Sequence, residues 1–498
     1  MNRRRILLKG SVTRTVSLFL HVLVGFIMTP FIVHSLGNRM FGFWSLVGTL
    51  IGYYGIFELG LSSAVNRFLS KALSNNDISE MNSVINTSLV LFTILAIISL
   101  LVSIIAALSS ALFIENTAEI ELFRKVIIIL GLSVALSFPM KVFIGVLESY
   151  LRYDLYTYSM LFRLFLSNIL IYYFLEVGYG ILALTFINLF ASIVQYIIIF
   201  ILSKRIFLKI QISFSLCSKD KIKLLFSYSY KTLIARLADQ LRFRLDNFII
   251  AGFLGLSFVT LYSIGVKLLN YFFNLVGSMI GILTPVFSQY EAKGDYPLIK
   301  RRFLETTKYS VIISFFVGSS LIFYGKSFIH CWMGPDFSPS YYIMIILCVP
   351  MIFDLMQSPS IQLLYGISKH KLYSITNTLE GLLNLMLSLI LVKFYGIYGV
   401  AIATAISMII FKLFIQPYFV CKSINLSLKH YINNILSTTL KTLIPLFTYF
   451  FIFRLFLKNQ YFFIFIGFLI QIIIFIPIVL FFILDKKERS DVLLSLKI

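Results

Sequence analysis

The twelve residues "RLADQLRFRLDN" (236–247) carry Arg236, Asp239, Arg242, Arg244 and Asp246, and they run straight into the apolar stretch "FIIAGFLG" (248–255). On the surface of a soluble protein such charges would mark an ordinary solvated helix. Inside a membrane the same charges would mark a binding or coupling site. The depth of this one stretch therefore governs how the whole chain is read.

The chain has 498 residues, of which 59% are hydrophobic and 13% charged. Soluble domains carry about 25% charged residues, and a spanning helix needs roughly 20 mostly apolar ones. Fourteen such runs are predicted, at 12–34, 44–66, 83–112, 126–148, 157–175, 180–203, 228–252, 258–286, 307–325, 341–365, 372–392, 397–420, 432–453 and 462–484. Lipid offers no hydrogen-bond partner to the backbone, so the runs are expected to be helices. The fold class is an all-α polytopic membrane protein with no room for a sizeable soluble domain.

Formal net charge is +22. With the amino terminus placed in the cytoplasm, Lys and Arg concentrate several-fold on the cytoplasmic connections, as the positive-inside rule requires. Both termini are thus expected to be cytoplasmic, and the charge calls for no nucleic-acid partner. The basic start "MNRRRILLKG" precedes a long apolar run without a small-residue cleavage site, and reads as an uncleaved first span. Cys217, Cys331, Cys348 and Cys421 are scattered, which suggests neither a disulfide framework nor a metal site. Walker A, HExxH and GxSxG motifs are absent, so neither an enzyme nor a cofactor is expected.

An internal repeat places the opening stretch. Leu36-Gly37 is followed by Trp44-Ser45-Leu46, and Leu254-Gly255 by Tyr262-Ser263-Ile264, at an offset of 218. "LYT" at 155–157 matches "LYS" at 372–374, and "YGI" at 179–181 matches "YGI" at 395–397, at nearly the same offset. Six spans per copy make the repeat parallel. The expected domains are a six-helix lobe at 1–203, a cytoplasmic amphipathic linker at 204–226, a second lobe at 227–421, and two extra helices with a basic tail at 422–498. The repeat puts a span start near residue 230, so 236–247 lies within the seventh span.

A charge at mid-depth costs at least roughly 2.5–3.5 kcal/mol unless it is hydrated or paired. On a helix Asp239, Arg242 and Asp246 share one face. Arg–Asp pairs that pin neighbouring helices are one reading. The other is a water-filled cleft where surplus cations bind an anion, with Arg14, Arg236, Arg242, Arg244 and Lys267 as the substrate-binding set. Glu58, Asp239, Asp246, Asp354 and Glu380 are candidates for ion coupling; Glu58, Asp354 and Glu380 lie deep in spans, and each would carry a coupling proton or pair with a buried arginine. Lys141, Arg163, Lys412 and Lys441 stand within about two turns of cytoplasmic ends, where snorkelling is expected.

Three stretches, "LGNRMFGFWSL" (36–46), "FELGLSSAVNRFLSKAL" (57–73) and "LDNFIIAGFLG" (245–255), resemble the polysaccharide-transporter branch of the multidrug/oligosaccharidyl-lipid/polysaccharide exporter superfamily. The resemblance covers essentially the whole chain. It implies two MATE-like lobes and a Wzx-type flippase that moves an undecaprenyl-diphosphate-linked oligosaccharide across the bacterial inner membrane by alternating access. Implied partners are that lipid-linked substrate, membrane lipids, H+ or Na+, and other polysaccharide-assembly membrane proteins. Arginine forks suit the phosphate oxygens of such a substrate. A lipid II flippase and a cation-coupled multidrug exporter share the fold. An O-antigen polymerase would need a long periplasmic loop, and the longest outside connection expected here is about fifteen residues (326–340).

Overall fold

The computed structural model describes residues 3–58, 60–112, 117–227, 245–280, 283–453 and 460–495. Arg236, Asp239, Arg242 and Arg244 lie outside these described residues. The described residues are almost wholly helical and contain no strand. Ten helical stretches among them are long and apolar enough to cross a membrane.

The chain divides into two units, Met1–Gln240 with Gly255–Thr260, and Leu241–Leu254 with Leu261–Ile498. The first holds α1 (Arg3–Tyr53), α2 (Leu61–Ser74), α3 (Ile78–Leu108), α4 (Thr117–Ser149), α5 (Tyr153–Glu176) and α6 (Ile181–Ile206). The second begins with α7 (Asp246–Leu254), and most of α8 (Leu256–Ile280) belongs to it. It continues through α9 (Leu283–Ala292), α10 (Tyr296–Met333), α11 (Ser338–Met356), α12 (Ser358–Gly366) and α13 (His370–Ile409). It ends with α14 (Gln416–Ser423), α15 (Leu428–Phe453), α16 (Tyr461–Ile478) and α17 (Lys486–Ser495).

Helix ends follow from local chemistry. Asp77 caps α3 by accepting from the Glu80 N–H at 2.8 Å, and Asp295 caps α10 by accepting from the Leu298 N–H at 3.0 Å. The repeat shows in the breaks. Gly37 turns the chain within α1 at φ +77°, and its counterpart Gly255 separates α7 from α8 at φ +96°. A residue with a Cβ would be strained at either place. The second "YGI" breaks α13 at Gly396, and the first stands at the start of α6.

Large apolar side chains such as Phe19, Ile105, Met386 and Phe482 are exposed, while Asn86, Gln195, Asn377 and Gln416 are buried. This inverts the soluble pattern. In lipid, close packing and internal polar contacts hold helices together. Accordingly, a Cβ at Gly131 of α4 would overlap the Ser103 side chain of α3, and one at Gly318 of α10 would overlap Ile352 of α11.

The linker is helical only in part: residues 207–218 are mostly non-helical, with one short 3-10 turn at Phe214–Leu216, and residues 219–227 are helical. Two amides of α3 hold this segment. Asn82 donates to Lys209 O (3.0 Å) and accepts from Gln211 N (2.9 Å); Asn86 donates to Gln211 O (2.7 Å) and accepts from Ser213 N (2.8 Å). These side chains satisfy backbone groups that a helix would have paired internally.

Candidate functional site

In the second unit, α7 opens at Asp246, whose side chain is buried among α8, α13 and the chain beyond Gly396. Asp246 Oδ2 accepts from the Tyr262 hydroxyl at 2.5 Å and lies 3.2 Å from Thr404 Oγ1; Oδ1 accepts from Asn384 Nδ2 at 3.4 Å. Among the described residues its recorded partners are all neutral. Thr404 Oγ1 is also 3.1 Å from Asn384 Oδ1 and 3.2 Å from Val400 O. A hydroxyl has one proton, so it satisfies at most one of those three oxygens. Ser388 Oγ adds a further contact to Asn384 Oδ1 at 3.1 Å. The cluster is thus rich in oxygen lone pairs around one carboxylate, which suits a small hard cation.

The same unit holds an ionic trio just beyond the end of α13. Lys412 sits on a π-helical turn, Ile410–Ile415, and its Nζ is 3.4 Å from Asp354 Oδ1 and 3.5 Å from Glu380 Oε2. It donates to Asn377 Oδ1 (2.9 Å) and Gln416 Oε1 (3.1 Å) and stands over the Tyr373 ring. The side chains of Lys412, Asp354 and Glu380 are at most 2% exposed. The snorkelling expectation for Lys412 is corrected: two carboxylates and two amides hold it inside. Asp354 and Glu380 have a lysine, not an arginine, between them.

The first unit holds a second network. Glu58 closes the 3-10 turn that extends α1 and pairs with Lys141 of α4 at 2.6 Å. Asn66 of α2 donates to Glu148 at 2.9 Å, and Arg14 is an electrostatic neighbour of that carboxylate. Arg14 itself is exposed on α1. Lys141 therefore pairs inward and does not snorkel. Arg163 is corrected likewise, because it lines an open cavity of about 480 Å³ with Trp44, Tyr156, Asn168, Asn188 and Tyr196. A cavity of about 380 Å³ shares Arg163, Trp44, Asn188 and Tyr196. Among the described residues no carboxylate lies within ion-pair distance of Arg163.

The structure thus groups Asp354 with Glu380 and places Asp246 and Glu58 in separate clusters. Lys267 is half-buried in α8. Tyr262, Asn384, Thr404 and Arg163 were not singled out by sequence as site residues. The signal available for the first three was a polar residue inside an apolar run.

Residues 36–342 match the model of a family described as "Polysaccharide biosynthesis protein". The chain is 24% identical over 410 residues to the membrane protein EpsK of Bacillus subtilis, covering 79% of each. It is 22% identical over 428 residues to a putative O-antigen transporter of Shigella flexneri, covering 82% of this chain and 97% of that one. Among solved structures, the lipid II flippase MurJ in an inward closed conformation superposes with a TM-score of 0.72 at 18% identity, covering 94% of this chain and 97% of that one. An inward-facing multidrug resistance MATE family transporter gives 0.71 at 15% identity, covering 84% and 99%. The fold is that of these transporters, in agreement with the resemblance read from the three sequence stretches.

Proposed function

Since the chain belongs to the polysaccharide biosynthesis protein family, we propose that this multi-pass membrane transport protein flips an undecaprenyl-diphosphate-linked oligosaccharide across the bacterial inner membrane by alternating access. Both termini face the cytoplasm in this reading. A monovalent cation, H+ or Na+, drives the cycle by binding at Asp246.

The oxygen cluster at Asp246 carries the coupling part of the proposal. A bare carboxylate in a low-dielectric interior costs several kcal/mol. Neutral hydroxyls and an amide offset only part of that cost. A cation entering among Asp246, Asn384, Thr404 and Val400 O cancels the charge and satisfies the excess lone pairs. The loaded and empty forms then differ by one full charge, and a ligand that prefers one conformation shifts the equilibrium by its differential affinity.

The substrate's diphosphate carries about two negative charges past the bilayer centre. Arg236, Arg242 and Arg244 are proposed to meet it, with Arg14 and Lys267 as further cations. Arginine stays protonated and offers a planar fork to phosphate. A multidrug exporter of cationic compounds has no use for such a set.

Deletion of the gene tests the reading in cells. The expected result is loss of a surface polysaccharide, with the lipid-linked oligosaccharide accumulating on the cytoplasmic face and recovery on complementation. Unchanged polysaccharide would refute it, and arrested cell-wall synthesis would point to lipid II.

A further inference from the structure

We propose that the cavity of the first unit is a saccharide subsite, in which Trp44 stacks on a pyranose ring and Arg163, Asn168 and Asn188 hydrogen-bond its hydroxyls. The proposal rests on the flippase reading for its biological role, but the binding itself can be measured apart from transport.

The cavity lies wholly within the six-helix unit, between α1, α4, α5 and α6. Its volume of about 480 Å³ falls in the range of small-ligand sites, about 300–1,000 Å³. Its lining is unlike the lipid-facing surface of the same helices. Three aromatic rings, Trp44, Tyr156 and Tyr196, line it together with the amides of Asn168, Asn188 and Gln195, the Lys141 ammonium and the Arg163 guanidinium.

Both asparagines have capacity to spare. Asn168 donates to Leu164 O at 2.7 Å and Asn188 to Leu184 O at 2.8 Å, so in both the recorded bond uses one amide proton. Their Oδ1 atoms and second protons remain for a ligand. Lys141 is matched by Glu58, whereas Arg163 has no carboxylate within ion-pair distance among the described residues. Arg163 stands ten residues into α5, about 15 Å from the helix start at 1.5 Å per residue. An arginine inside a span is expensive unless water, a partner or a ligand reaches it. Sugar hydroxyls both donate and accept, and a pyranose has an apolar face for an aromatic ring. Amides, a guanidinium and a tryptophan around one small cavity match both properties.

Trp44 supplies its own reporter, because the chain has two tryptophans. Trp332 lies in the second unit, packed beside Phe328. Purified Trp332→Phe protein should show saturable changes in Trp44 fluorescence on titration with at least one of D-glucose, D-galactose, N-acetyl-D-glucosamine and D-glucuronate. Asn188→Ala in the same background should weaken that binding about tenfold, while its thermal unfolding midpoint stays that of the parent. No saturable change with any of the four overturns the proposal, and so does a response to inorganic pyrophosphate alone. Saccharide binding in a protein that moves no lipid-linked glycan would sink the flippase reading and leave the subsite standing.

Discussion

The Lys412 ammonium lies 3.4 Å from the Asp354 carboxylate, with both side chains at most 2% exposed. Glu380 approaches the same ammonium at 3.5 Å. The contact joins two irregular places in the second unit: the π-helical turn that carries Lys412, and the junction of α11 and α12 at Gln357, which follows Asp354 by three residues. Gln416 extends the link by donating to Gln357 O at 3.3 Å.

Breaking this trio should destabilise the protein severely. Removing one partner of a buried ion pair costs about 3–5 kcal/mol, because the remaining charge is left uncompensated. Lys412→Met should therefore lower both membrane abundance and the unfolding midpoint. Adding Asp354→Asn and Glu380→Gln should restore a large part of both. Wild-type behaviour of Lys412→Met would show that the trio contributes little to the fold.

Glu58 and Lys141 form a partly exposed pair, at 14% and 23% side-chain exposure. A double-mutant cycle with Glu58→Gln and Lys141→Gln should give a coupling energy of about 0.5–3 kcal/mol in unfolding. Additive effects would mean that the two act independently, and would leave Glu58 among the ion-coupling candidates.

Asn82 and Asn86 should govern the segment that follows α6. The double change to Ala removes four hydrogen bonds to that segment, each worth about 1 kcal/mol net. Amide hydrogen exchange at 209–213 should accelerate by at least tenfold, with helix α3 unchanged. Unaltered exchange would show that other contacts fix this segment.

Topology follows from the span count. Reporter fusions at residues 115, 335 and 458 should score as periplasmic. A cytoplasmic score at any of them would break the expected order of fourteen spans and the repeat built on it.

The architecture was legible because bilayer thickness writes itself into run length, and because Leu36-Gly37 and Leu254-Gly255 recur for a backbone reason, a positive φ. The clusters were less legible. Asp246 stood out as an acid in an apolar segment, but Tyr262, Asn384 and Thr404 come to it from positions 16, 138 and 158 residues away. Lys412 and Arg163 were misjudged because distance from a span end says nothing about which face of the helix a side chain occupies. Snorkelling was the low-cost choice for an isolated helix, whereas Asp354, Glu380 and the cavity supplied alternatives that only packing creates.

The most direct measurement is translocation of an undecaprenyl-diphosphate-linked oligosaccharide in proteoliposomes, with proton and sodium gradients imposed separately. One gradient should accelerate translocation by the wild type, and collapsing it should return the rate to the basal level. Asp246→Asn, at equal protein incorporation, should translocate at the basal rate whichever gradient is imposed. Gradient-driven translocation by Asp246→Asn at the wild-type rate would contradict coupling at this site, and no translocation by the wild type under either gradient would contradict the proposed function itself.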